Sequence, residues 1–159
     1  MSRLLLDVGK LESATAAGDR PEIRACVTRA RLSLRAALGS AGRVAIERTE
    51  TYSLAGRLYW SLGDEKKALR WWERSIEEGE RLAARPELAR THLEVGRRLA
   101  GSEKLWGLDA AQHLRRAHDL FVELELSWDL EQLEPIERAR GADAQCGDGR
   151  RAAVTLARA

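Results

Sequence analysis

The chain has 159 residues, 44% of them apolar and 33% charged, with a net charge of +2 at neutral pH, enough for one domain with a buried core or a short repeat stack. Residues 138 to 159 carry five arginines against two aspartates, which leaves the rest at −1 and excludes the concentrated basic face that nucleic-acid binding requires. Alanine, leucine, arginine and glutamate dominate, with only three prolines and one phenylalanine, so helix is favoured and alternating strand patterns are missing.

The opening Met1-Ser-Arg-Leu-Leu-Leu-Asp-Val is too short an apolar run for a signal peptide, and no stretch approaches transmembrane length. A cytoplasmic protein without a membrane partner is expected. Leu5, Val8 and Gly9 begin a helical face, Gly18-Asp19 supplies a turn, and Ile23, Val27 and Ala30 continue on a second helix from Arg24 to Leu38. Leu4, Leu5, Leu6, Val8 and Leu11 offer more apolar surface than one packed face buries, so a homodimer through the N-terminal helix is favoured over a monomer. Cys26 falls on an apolar stripe and reads as a buried free thiol. Cys146 lies in a Gly/Asp/Arg-rich stretch, and no C-x-x-C occurs.

The middle of the chain is the most regular. Tyr52, Ala55, Gly56 and Tyr59 share one helical face, Gly63-Asp64 ends that helix and caps the next, and Ala68, Trp72 and Ser75 follow on a second face. Gly56, Ala68 and Ser75 allow close helix approach, with Tyr59 and Trp72 filling the space between. Downstream, His92, Val95, Gly96 and Leu99 repeat the first pattern, and Ala110, Leu114 and Ala117 the second, across a longer link from Gly101 to Asp109. Trp128 to Arg138 forms a further amphipathic helix that Pro135 should kink or end. Residues 139–159 read as a disordered basic tail.

The order aromatic, small residue, Gly, aromatic, Gly-Asp, Ala, aromatic, small residue in Tyr52 to Ser75 resembles the tetratricopeptide repeat. That resemblance implies an all-α, right-handed solenoid of about three helix pairs (1–40, 42–84 and 86–125) with a capping helix at 128–138. Glu12 stands where an aromatic or Leu is expected, so the first copy is degenerate. Ala30, Ser75 and Ala117 lie 45 and 42 residues apart, against ~34 for the standard repeat, which also fits HEAT-type repeats. A plain helical bundle is the third alternative. The stretch Ala89 to Gln132 is similar to the last repeats of large bacterial signalling proteins that carry a cyclase or ATPase module. By that likeness the chain is a regulatory segment of such a protein, and the competing reading is a stand-alone adaptor.

No catalytic centre is evident. His92 occupies a packing position, and His113 and His118 are five apart, which does not align them on one helical face. There is no phosphate loop, nucleophile elbow or H-E-x-x-H sequence. Carboxylates such as Glu73, Glu77, Glu78 and Glu80 interleave with arginines as a solvated face does. Neither an enzyme nor a metal or other cofactor is expected. In a tetratricopeptide stack the first-helix residue after each Gly points into the groove, which implicates Lys10, Arg57 and Arg97. Glu50, Ser53, Trp60, Arg90 and Leu93 would surround them. A basic ladder with Trp60 as an aromatic anchor suits another protein or an acidic peptide segment. The asparagines of the family's chaperone-binding clamp are missing, so that partner is not implied.

Overall fold

The computed structural model describes residues 3–99, 103–136 and 138, and it is all-helical. The order is α1 (Arg3–Ala17), α2 (Arg20–Ala41), a 3-10 turn (Ala45–Glu47), α3 (Arg48–Ser61), α4 (Glu65–Leu82), α5 (Arg85–Arg98) and α6 (Ala110–Glu123). A further helix, α7, runs over residues 127–136. Among the described residues the only β-type pairing is an isolated Leu105–Leu108 bridge. Among the described residues no helix is long and apolar enough to cross a membrane.

The breaks between helices follow from local chemistry. Gly18 and Gly63 take left-handed φ angles of 70° and 75°, which glycine adopts without a Cβ clash. Each is followed by an aspartate whose carboxylate accepts a backbone N–H three residues on: Asp19 from Glu22 and Asp64 from Lys67, both at 3.1 Å. Asp109 and Gln112 form a reciprocal capping box on α6. Pro86 sits in the first turn of α5, where its missing N–H leaves no helical bond unmade. Pro135 lies within the last described turn of α7.

The most extensive packing joins α1 to α2, α3 to α4 and α5 to α6, giving three successive hairpins. Each hairpin leans on the next: α2 and α1 both touch α3, and α4 and α3 both touch α5. One apolar cluster is built on Leu4, Val8, Leu11, Cys26, Ala30 and Leu34, a second on Trp72, Ile76, Val95, Leu114 and Phe121, and Tyr59 packs against both. Because α1 is flanked by two helices, Leu4, Val8 and Leu11 are buried and Leu5 is half-buried. Only Leu6 of the N-terminal leucines is exposed, at 50%, which corrects the expectation of a broad leucine surface. Cys26 is a buried free thiol, and Cys146 lies outside the described residues.

Two glycines set hairpin spacing. A Cβ on Gly56 would fall inside the Trp72 indole, and one on Gly96 would lie 2.7 Å from Leu114 Cγ. Trp72 is fully buried, and its Nε1 donates to the Ser53 carbonyl at 3.2 Å, so this close fit also satisfies its polar atom. At the next joint the Ser75 hydroxyl donates to the Thr49 carbonyl at 2.7 Å and lies 2.9 Å from the Thr91 hydroxyl, tying α3, α4 and α5 together. Gly56→Leu is therefore expected to destabilise the fold by about 3 kcal/mol through overpacking. Urea unfolding checks it: a midpoint equal to the parent's would mean that the α3–α4 crossing is not tight.

Candidate functional site

The first helices of the hairpins, α1, α3 and α5, border a groove of about 460 Å³ lined by Glu12, Thr15, Ala16, Trp60, Ser61, Arg97 and Arg98. Half-buried Trp60 leans on Trp72, with ring centroids 5.7 Å apart. The Arg98 guanidinium lies 5.6 Å from the Trp72 ring centroid, a cation–π contact that places it beside the same aromatic pair.

Beneath these residues lies an ion network that joins all three helices. Glu12 of α1 accepts from Arg57 Nε at 3.1 Å and Nη2 at 2.5 Å, and from Arg98 Nη2 at 3.0 Å. Glu94 accepts from Arg98, faces Arg57 Nε at 3.8 Å and pairs with Arg97 Nη1 at 3.4 Å. Three guanidiniums therefore meet two carboxylates, a surplus of one positive charge. Burial pushes the Arg98 pKa down, Arg97 and Arg57 add to that effect, and Glu94 and Glu12 oppose it. For Arg57, burial also disfavours the charge, but Glu12 and Glu94 outweigh it and the pKa rises. The groove hydroxyls are turned inward, Thr15 donating to the Leu11 carbonyl at 2.7 Å and Ser61 to the Arg57 carbonyl at 3.1 Å.

The structure splits the residues singled out from sequence. Trp60 and Arg97 line the groove together. Arg57 is bound up with Glu12 and Glu94. Lys10 is exposed but borders a different groove, between α1 and the start of α2. Ser53 and Leu93 are buried, so they pack rather than face solvent. Arg90 donates to both oxygens of Asp129 at 2.9 Å, fastening α7 to α5. Glu50 is exposed on the first turn of α3. Sequence reasoning missed Arg98 and Glu94, and it treated Glu12 as a flaw in the repeat. A charged residue in an apolar slot was the available signal, since such a residue needs a partner.

A second missed cluster joins α5 to α6. The His113 Nε2–H donates to the Leu105 carbonyl at 3.0 Å, which leaves its Nδ1 as an acceptor. His92 Nδ1–H donates into that nitrogen at 2.7 Å, and both rings are buried. Among the described residues no group of three His, Cys, Asp or Glu side chains could hold a metal ion. The chain matches no protein-family model, and neither a curated protein nor a solved structure gives a significant match.

Two predictions follow from these networks. Glu12→Gln leaves three guanidiniums around Glu94 and is expected to destabilise the fold by about 2 kcal/mol, against about 3–5 kcal/mol for breaking a fully buried pair. A thermal melt identical to the parent's would show that the network carries no energy. The histidines set the second. Burial, with His113 and Arg116 adding to it, holds His92 down to about 3, and burial also lowers His113 against the Leu105 carbonyl and Asp109. Both are neutral when folded and gain protons when unfolded below about pH 6.5. Their stabilisation is thus complete above that pH and is lost as pH falls toward the folded values, by up to about 1.4 kcal/mol per pH unit for each. Unfolded carboxylates titrate near pH 4, so urea titrations between about pH 6.5 and 5 isolate the histidines. A flat profile there, or one unchanged in His92→Leu with His113→Leu, contradicts the assignment.

Proposed function

We propose that the chain is a non-enzymatic binding module of tetratricopeptide type, which holds a partner protein segment in the groove between α1, α3 and α5. The observation that carries this reading is the meeting of Trp60 with Arg97 and Arg98, two members of an ion network that has three guanidiniums to two carboxylates. The groove hydroxyls already donate to their own helices, so the remaining donors are guanidiniums. They suit a carboxylate, and Trp60 suits an apolar side chain beside it. The stacking of successive hairpins, with each first helix touching the next first helix, supports the solenoid reading. The resemblance of Ala89 to Gln132 to the last repeats of large bacterial signalling proteins, read from the sequence alone, is the ground for proposing a role as the recognition segment of such a protein.

A second reading, a structural or oligomerising helical bundle, is favoured by one observation: Arg57 is neutralised within the chain, which removes the middle rung of a basic ladder. Peptide display separates the two. Selection on the immobilised chain is expected to enrich segments with Asp or Glu next to a bulky apolar residue. Trp60→Ala should weaken those peptides by about 2 kcal/mol, roughly 30-fold. Arg97→Glu should weaken them further and reduce the salt dependence that screening imposes over about 8–10 Å. Enriched peptides that bind Trp60→Ala as well as the parent, with circular dichroism showing both folded, would refute the groove reading.

A further inference from the structure

The three guanidiniums of the groove's ion network are held unequally. Arg57 and Arg98 are largely covered, with side chains 18% and 9% exposed, and each bonds to Glu12. Arg97 is 40% exposed, and its contact with Glu94 Oε1 at 3.4 Å is longer than a normal hydrogen bond. Among the described residues it makes no other ion pair or hydrogen bond. Glu94 meanwhile serves all three arginines. Its Oε2 accepts from Arg98 and lies 3.8 Å from Arg57 Nε, while Oε1 faces Arg97. Beyond burial, Arg97 is one of the charges that hold the Arg98 pKa down. Without Arg97 the remainder balances, Arg57 and Arg98 against Glu12 and Glu94. The surplus positive charge therefore belongs to Arg97, which lines the groove with Trp60.

We infer, resting on the carboxylate-binding role proposed for this groove, that Glu94 is an internal competitor of the partner's carboxylate: it holds Arg97 until the ligand takes Arg97 over. Glu94 and Arg97 are three residues apart on one face of α5, so the exchange asks only for a new Arg97 rotamer. It leaves two balanced sets, Arg97 with the ligand, and Arg57 and Arg98 with the two glutamates. One negative charge completes that count. A phosphate, at about −1.5 to −2 near neutral pH, exceeds it, so the groove prefers a carboxylate.

NMR titration of the full chain at constant ionic strength, read at the arginine Nε–H signals, tests the inference. The probe is a capped Leu-Glu-Leu tripeptide, compared with its Leu-Gln-Leu and Leu-phosphoserine-Leu counterparts. The Arg97 signal should shift saturably with the glutamate peptide, and Glu94→Gln should tighten binding about threefold to fivefold, the scale of an exposed ion pair. In an Arg97→Gln background the same change should gain less than about twofold, because its effect runs through Arg97. With no peptide present, Arg97→Gln should melt at or above the parent's temperature, and Arg98→Gln below it, since only the second breaks a buried pair. Binding that Trp60→Ala weakens but a folded Glu94→Gln leaves unchanged or weaker overturns the competitor while the groove reading stands. Tighter binding of the phosphoserine peptide overturns it too, as does an Arg97→Gln variant that melts below the parent. Peptide binding that is missing, or indifferent to Trp60→Ala, refutes the groove reading and this inference with it.

Discussion

Everything on the groove side rests on one fit, the indole of Trp72 laid over Gly56. A fully buried tryptophan needs both space and a partner for its N–H, and α3 supplies them together: a residue without a side chain, and the Ser53 carbonyl one turn earlier. Trp60 and Arg98 also lie against that indole. The groove's aromatic and cationic elements are therefore positioned by a core residue, and a shift at α3–α4 would move both.

Arginine, more than charge as such, makes the network feasible. Arg57 engages Glu12 through two nitrogens while a second arginine, Arg98, divides itself between Glu12 and Glu94. A lysine ammonium offers no planar fork and is more strongly hydrated. Arg98 also lies against an aromatic ring, which offsets part of its lost hydration. Among the described lysines and arginines, few are placed this way. Most of the others lie on solvated faces, as Arg70 and Arg74 do.

Helix boundaries were readable in the sequence because their causes are local. Gly-Asp at 18–19 and 63–64 specifies a left-handed residue and then a cap, and the small residues at Gly56, Ala68 and Ser75 announce a close crossing. Trp60 and Arg97 were readable from repeat position, but the ion network and the histidine pair were not, because their partners are remote. Glu12 meets Arg57 and Arg98 across 45 and 86 residues, and His92 meets His113 across 21. Repeat logic also assumed that equivalent positions face the same groove. That fails for Lys10, since nothing from α2 covers the neighbouring Gly9 as Trp72 covers Gly56.

The Glu12–Arg98 bond has a mechanical consequence. In a row of hairpins that touch only their neighbours, stability is close to a sum of nearest-neighbour terms, and the ends fray independently. A bond from the first hairpin to the third is a term that such a sum does not contain. It resists splaying of the row, which would otherwise widen the groove by small rotations at each joint. It also links the loss of either end hairpin to the other.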